Sequence, residues 1–353
     1  MGRPRTLALA GRAPHRARAA TEGVTAASVV ASSMGAWVLL SPAEAGAAYG
    51  GLPAVLGYAL GSAVPLALFV PVAARVRAVM PGGCSLTQYV RARFGPAFHA
   101  FVLVVSVFYT FVFLAAGMTG VTLALALVAG VPAWVTAAVV GGVVLAYTTY
   151  GGLVASLVTD TAQALVVFPL LVVGFGGALW ALGGTASVYR AAATHSPGLL
   201  SLANPAGVRF GVYVALAVLG ANVLHQGLWQ RVWAADSTRG VRRAFAASAV
   251  VVPMVLLAGL FGVVAASRGL VGGNAGVAFF RVVNAAFPDS LTLAVVALAT
   301  LLVASTADTN VNAIASLVTT DVARLVAWDD RTLTRVARAL TAVVALGAVL
   351  VGA

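Results

Sequence analysis

The chain has 353 residues, of which 61% are hydrophobic and only 8% are charged, and that composition excludes an ordinary soluble globular domain. The net charge of +12 rests on 21 basic residues, all of them Arg, which are concentrated in the N-terminal tail and in alternate loops. This distribution is typical of membrane topology, so we expect no nucleic-acid partner.

Apolar runs of the roughly 20 residues that a membrane helix needs recur along the chain and predict an all-α polytopic membrane protein. In chain order, the nine predicted spans are 24–42, 51–74, 98–128, 132–148, 153–182, 208–228, 243–267, 289–319 and 336–353. Seventeen arginines lie in the tail or in loops on the same side, which predicts a cytoplasmic N-terminus. Residues 1–23 are then a basic cytoplasmic tail, and residues 24–353 form one transmembrane domain in the lipid bilayer.

Two of the predicted spans are interrupted by small and polar residues. The first span contains Ala31-Ser-Ser-Met-Gly35, and the sixth contains the polar stretch from Leu219 to Gly227. Unwound backbone at membrane depth is tolerated only against protein or a water-filled cavity. Each interruption alone is also explained by small residues packing against neighbouring helices. Their separation by five spans favours inverted repeats whose broken helices form a binding site.

A lone carboxylate, Asp160, follows a predicted double-glycine turn at Gly151 and Gly152 and lies inside the fifth span. An ionisable group at membrane depth is costly, so it is by default a candidate for an ion or substrate path. The alternative is a packing role, with the carboxylate hydrogen-bonded to Thr148 or Thr159.

The eighth span is too polar for a helix that faces lipid. Its polar residues at i, i+3, i+4 and i+7 lie on one helical face and are Ser305, Asp308, Thr309 and Asn312. Hydroxyls and carbonyls there suit a hard monovalent cation, and a hydrogen-bonded seam between helices is the alternative. The buried carboxylate of Asp308 favours the cation site over the seam.

Four segments in the same order resemble the sodium:solute symporter family, and they are 25–37, 147–163, 226–244 and 302–324. The third contains Gln230-Arg231 followed by Ala-Ala-Asp-Ser237, which is similar to a motif after the family's sixth core helix. The resemblance implies a LeuT-type inverted-repeat bundle. It also implies sodium-coupled uptake of a small organic solute by alternating access, with sodium as the coupling ion and no other cofactor.

The resemblance also implies roles for individual residues. The sodium site falls on Ala31, Met34, Leu302, Ser305 and Thr306, and the ion path includes Asp160 and Asp308. Candidate substrate-binding residues are Ser33, Asn222, His225 and Gln226. Ser33 stands where sodium/proline symporters have a carboxylate, and Asn222 stands where galactose symporters have an aromatic residue, so neither proline nor galactose is indicated. For His225, a structural hydrogen bond and a proton-linked role are both open.

Compared with the family, the chain lacks a helix before the core and the tenth core helix, so we expect it to be truncated at both ends, with the second repeat incomplete. The alternatives to a transporter are a symporter-like membrane sensor and an inactive remnant. We expect no enzymatic activity, because the four histidines are scattered and no arrangement of nucleophile, base and carboxylate is evident.

Overall fold

The computed structural model describes residues 22–321 and 330–352, and side chains are described for most of them, the main exceptions being 147, 149–164, 166–168 and 318–320. Helices make up nearly all of this part of the chain. In its first half they are α1 (Glu22–Ser33), α2 (Ser41–Ala48), α3 (Leu52–Val79), α4 (Leu86–Phe94), α5 (Pro96–Ala129), α6 (Ala133–Ala181), α7 (Gly184–His195) and α8 (Pro197–Leu200). In its second half they are α9 (Pro205–Leu224), α10 (Gln226–Ala234), α11 (Thr238–Val251), α12 (Val255–Ser267), α13 (Ala278–Ala286), α14 (Asp289–Asp321) and α15 (Asp330–Gly352).

Both predicted helix interruptions are confirmed. The first helix stops at Ser33, passes through Met34 and Gly35 and a short 3-10 turn at Ala36–Leu39, and resumes as α2. The second stops at Leu224 and resumes at Gln226, with His225 in extended conformation between them. The backbone of α9 loses its regular partners at this point, and the indole Nε1 of Trp229 donates to the Val223 carbonyl at 2.8 Å. That bond satisfies one of the carbonyls that a helix end leaves unpaired.

The turn predicted at Gly151 and Gly152 is wrong, because both glycines lie inside α6, which is continuous from Ala133 to Ala181. Glycine permits a turn, but it also adopts the ordinary helical conformation, and neither residue has a positive φ. At 1.5 Å per residue the helix is about 73 Å long, more than twice the thickness of a bilayer core. Asp160 is in its interior, and the side chain of Asp160 is outside the described set.

Within the described residues, five helices are long and apolar enough to cross a membrane, or seven if each bent pair of helices counts as one span. The helices pack in two groups. In the first group, α1 packs against α11, α2 packs against α12, and α3 packs against both α9 and α11. The other joins α14 to α5 and α6, and α15 to α5. Each group draws helices from both halves of the chain, which is the arrangement expected of interlocking repeats.

The two halves approach very closely where α3 crosses α9. A Cβ placed on Gly57 would lie 2.1 Å from the Cα of Gly211, and one on Gly61 would lie 2.6 Å from the Cα of Ala215. Small residues at such crossings let helix backbones touch, which is how membrane helices gain packing energy without a hydrophobic driving force. This contact holds α9, and therefore the broken end of α9 at His225, against the first half of the chain.

Candidate functional site

Both helix breaks contact the same turn of α14. A Cβ on Gly35, in the first break, would lie 2.8 Å from the hydroxyl oxygen of Thr306. A Cβ on Gly227, just after the second break, would lie 2.7 Å from the Cγ2 of Thr309. The polar face predicted for the eighth span is therefore inserted between the two breaks, where backbone carbonyls and side-chain hydroxyls come together.

The two stretches that carry the five predicted sodium-site residues approach each other at the first of these contacts. Ala31 lies in the last turn of α1 and Met34 in the break, while Leu302, Ser305 and Thr306 lie on α14. The carbonyl of Ala31 accepts the backbone N–H of Met34 at 3.1 Å. The hydroxyl of Thr306 donates to the Leu302 carbonyl at 3.0 Å. The Thr306 hydroxyl is thus bonded within its own helix, at the point of α14 that the first break approaches.

A buried arginine, Arg231, contacts α14 at Thr309, and the prediction that it lies in a loop was wrong. Arg231 was counted among the cytoplasmic loop arginines, but it belongs to α10 and is only 1% exposed. Its guanidinium donates to the Ser28 hydroxyl and to the Gly227 carbonyl at 2.8 Å each, and to the Thr309 hydroxyl at 3.3 Å. Arg231 therefore joins α1, α10 and α14 beneath the two breaks. A charge count places an arginine on a side of the membrane, but it does not show whether the side chain is solvated.

Asp308 takes part in the same network. It is fully buried, and its carboxylate accepts from the Thr309 hydroxyl at 3.4 Å, while that hydroxyl accepts from Arg231. A buried guanidinium needs a compensating negative charge, and the hydrogen-bonded chain from Arg231 through Thr309 leads to one. Asp308 is thus linked to the buried cation of Arg231 through Thr309.

The four predicted substrate residues divide into two kinds. The hydroxyl of Ser33 donates to the Val29 carbonyl at 2.7 Å, within its own helix. The amide of Gln226 donates to the Cys84 carbonyl and accepts from the Leu86 N–H, so it holds the loop before α4. Asn222 donates its amide to the Val218 carbonyl at 2.9 Å, and no described group donates to its side-chain oxygen. His225, in the break itself, keeps one ring nitrogen without a described partner.

Sequence reasoning missed the aromatic neighbours of His225. Tyr109 and Phe113, one turn apart on α5, place their ring centroids 6.2 Å and 5.8 Å from the imidazole, both edge-on. Aromatic residues at i and i+4 in an apolar span are the ordinary signature of a packed helix, so the sequence offered no signal that these two face a helix break.

A second buried polar cluster also went unpredicted. Asp321, at the end of α14, accepts from the Thr87 hydroxyl at 2.7 Å and contacts the Nε2 of His99 at 2.8 Å, and both His99 and Asp321 are fully buried. The Ser85 hydroxyl lies 3.5 Å from the same carboxylate. This cluster fastens Ser85 and the first turn of α4 to α5 and α14, as Gln226 fastens Cys84 and Leu86 to α10. His99 was one of the scattered histidines, and only folding brings it to Asp321.

Two fungal proteins named as transporters are similar to the chain in sequence. A spermidine transporter of Candida albicans is 26% identical over 298 residues, which is 84% of this chain and 56% of that protein. A probable urea active transporter of Schizosaccharomyces pombe is 25% identical over 227 residues, which is 61% of this chain and 34% of that protein. The chain therefore spans about half or less of the length of these relatives.

Solved structures share the fold. A sodium-coupled sialic acid symporter in a substrate-bound, outward-open state superposes with a TM-score of 0.75 at 16% identity, covering 98% of this chain and 79% of that one. A nucleobase-cation-symport-1 family transporter in a closed conformation gives a TM-score of 0.54, also at 16% identity, over 92% of this chain and 71% of that one. The model of the sodium:solute symporter family matches residues 16–353. Because that match covers nearly the whole chain, as the four collinear segments predicted, the chain belongs to the sodium:solute symporter family.

Proposed function

We propose that this chain is a sodium-coupled symporter that moves a small organic solute across the cell membrane by alternating access. The single observation that carries the proposal is the meeting of both helix breaks on one turn of α14, at Thr306 and Thr309. Broken helices at the interface of inverted repeats supply backbone carbonyls and helix ends to ions and solutes near the middle of the membrane. The chain itself carries no covalent chemistry in this proposal, and sodium is its one coupling ion.

The sodium ligands in this proposal are the carbonyls of Ala31, Met34 and Leu302 and the hydroxyls of Ser305 and Thr306. All five residues are buried or nearly so, and the contact of Gly35 with Thr306 supports their proximity. Five neutral oxygens suit a monovalent cation, because binding then adds a single positive charge without having to neutralise a carboxylate. We assign Asp160 and Asp308 to the ion path.

The solute in this proposal binds at the second break. Asn222 and His225 keep polar atoms that no described group uses, whereas Ser33 and Gln226 are engaged within the protein and contribute shape. Spermidine and urea, the solutes named for the two relatives, are the first candidates. The proposed orientation has residues 1–23 in the cytoplasm, because most arginines lie on that side.

Sodium-dependent thermal stabilisation of the purified protein tests the coupling without a known solute. A ligand that binds only the folded state raises the free energy of unfolding by RT ln(1 + [L]/Kd), which is about 2.7 kcal/mol at one hundred times Kd. We expect sodium to raise the unfolding temperature while potassium and choline do not. The double variant Ser305→Ala/Thr306→Ala should lose this shift.

Thr300→Ala is the matched control, because the Thr300 hydroxyl donates to the Val296 carbonyl at 2.8 Å and so makes the same kind of bond in the same helix as Thr306. That variant should keep the full sodium shift. Equal shifts with sodium and potassium, or a sodium shift that survives in the double variant, would contradict the proposed site.

A further inference from the structure

We propose that the Nε2–H of His225, together with Tyr109 and Phe113, binds the carbonyl oxygen of a small uncharged amide solute such as urea. This inference rests on the proposed transport function and deepens it, because it names the atoms that select the solute. The three residues are brought together from α5 and from the break between α9 and α10.

The proton on His225 is located by its backbone contact. The N–H of Leu228 donates to the Nδ1 of His225 at 3.3 Å, as in a helix N-cap, so Nδ1 carries no proton and the ring proton is on Nε2. His225 is only 6% exposed, and no described group accepts a hydrogen bond from Nε2. A donor that no protein group accepts is left for water or for a ligand.

The aromatic neighbours favour the ligand. Tyr109 and Phe113 stack with ring centroids 5.8 Å apart and planes inclined by 29°, and both meet the imidazole edge-on. The Tyr109 hydroxyl has no hydrogen-bond partner among the described residues. The imidazole and the phenol, each with a donor that no described group accepts, are thus neighbours of the apolar ring of Phe113. Such a surface matches a planar group with a carbonyl oxygen at its edge.

The charges nearby favour an uncharged solute. Arg231 donates to the carbonyl of Gly227, two residues after His225, and its guanidinium is buried. A cationic amine beside it would meet like charge in a medium of low dielectric constant. The nearby carboxylate of Asp308 is already joined to Arg231 through Thr309. A neutral amide escapes this repulsion, whereas a polyamine does not.

Two substitutions of His225 test its two roles independently. One role is the cap that Nδ1 provides for the Leu228 N–H, and the other is the proposed donor at Nε2. In His225→Asn, the side-chain oxygen replaces Nδ1 as the cap of the Leu228 N–H, and Asn is a preferred N-cap residue, but the group at Nε2 is gone. In His225→Gln, the longer side chain returns an N–H near the position of Nε2. Tyr109→Phe removes only the phenol hydroxyl.

The readout is uptake of radiolabelled urea into proteoliposomes with an inward sodium gradient, after subtraction of the leak into protein-free vesicles, and unlabelled spermidine is the charged competitor. We expect the wild type to take up urea with sodium dependence. His225→Asn should lower this uptake about tenfold or more, because an unpaired carbonyl replaces a buried hydrogen bond. His225→Gln should retain most of the uptake, and spermidine should compete weakly.

The sodium-dependent thermal shift, measured on the same preparations, distinguishes failure of the proposed sodium coupling from failure of the proposed carbonyl site. It should be unchanged in all three variants, because none of them alters a proposed sodium ligand. Absence of the shift in the wild type would count against sodium coupling itself. Three results combined with a normal sodium shift would overturn the carbonyl site alone. They are no urea uptake by the wild type, strong competition by spermidine, and equal urea uptake by His225→Asn and the wild type.

Discussion

At the scale of single residues, the contact between Gly35 and Thr306 determines how closely the first break approaches α14. A methyl group on Gly35 would lie 2.8 Å from the Thr306 hydroxyl oxygen and 2.9 Å from its Cγ2. Both distances are shorter than van der Waals contact, and Thr306 is held in place by its bond to the Leu302 carbonyl. The close approach therefore depends on glycine.

We expect Gly35→Ala to destabilise the protein by about 1–3 kcal/mol and to weaken sodium binding, because the break must move away from Thr306. The control is Gly23→Ala in α1, where a Cβ meets nothing within 4 Å and alanine should instead stabilise the helix by about 0.5–1 kcal/mol. Thermal unfolding with and without sodium measures both effects. A Gly35→Ala protein with the wild-type sodium shift would contradict this account.

Arg231 and Arg243 show how burial changes the contribution of an arginine to the stability of the fold. Arg231 holds three partners inside the protein, whereas Arg243 pairs with Glu22 at the surface, where its side chain is 58% exposed. Arg231→Ala should cost about 3–5 kcal/mol, since it leaves buried groups unpaired, and Arg231→Lys should rescue little, since one ammonium cannot reproduce the fork of a guanidinium.

Arg243→Ala is the matched control and should cost less than about 1 kcal/mol, because exposed ion pairs contribute little. Unfolding temperatures and the yield of monodisperse protein report both changes. Equal losses for the two variants would show that the network around Arg231 does not stabilise the fold.

At the scale of whole helices, the crossing of α3 and α9 fixes where the second break lies. Gly57 and Gly211 meet backbone to backbone, so an added side chain at Gly57 cannot be accommodated by a rotamer change. We expect Gly57→Ala to cost about 1–3 kcal/mol, by forcing the helices apart. In the same helix pair, Gly220→Ala on α9 should be neutral or stabilising, because a Cβ there meets nothing within 4 Å.

The measurement is thermal unfolding of both variants in the same detergent, combined with solute uptake, because displacement of α9 also displaces His225. If Gly57→Ala loses uptake while its unfolding temperature is unchanged, the loss is caused by a shift in the position of the break. Wild-type behaviour in both assays would show that the crossing tolerates separation.

At the scale of the whole molecule, the segment from Cys84 to Thr87, where the loop runs into α4, is held by α10 and by α14. Gln226 of α10 binds it at Cys84 and Leu86, while Asp321 of α14 binds it at Thr87. In the proposed alternating access, α10 and α14 would move relative to each other, and one set of these bonds would then break. Under that proposal, the accessibility of this loop reports on the motion.

The single cysteine in this loop provides the assay. We expect Gln226→Leu to speed alkylation of Cys84 by a maleimide about tenfold, because two hydrogen bonds that hold the loop are lost. The control is Gln230→Leu, on the same short helix, whose amide bonds the Asn312 carbonyl at 3.4 Å and makes no contact with the loop. Similar rates for the wild type and Gln226→Leu would mean that other bonds hold the loop, such as that from the Cys84 N–H to the Gln88 side chain at 3.1 Å.

Local chemistry predicted much of the architecture. Polar and small residues at Ala31–Gly35 and Leu219–Gly227 predicted both breaks, since such residues weaken a helix wherever they occur. The hydroxyls of the eighth span predicted a polar helical face because their spacing follows the helix repeat. The glycine pair at 151–152 was misleading for the same local reason, because its flexibility permits a turn without requiring one.

The sequence by itself determined that the chain is a helical membrane protein, that its first and sixth spans are broken, and to which family it belongs, because composition, periodicity and motifs are local properties. Only the tertiary structure decided that Arg231 is buried, that His99 meets Asp321, and that Tyr109 and Phe113 border His225. Those contacts join residues far apart in the chain. Their positions depend on close helix crossings such as Gly57 on Gly211, which no single segment encodes.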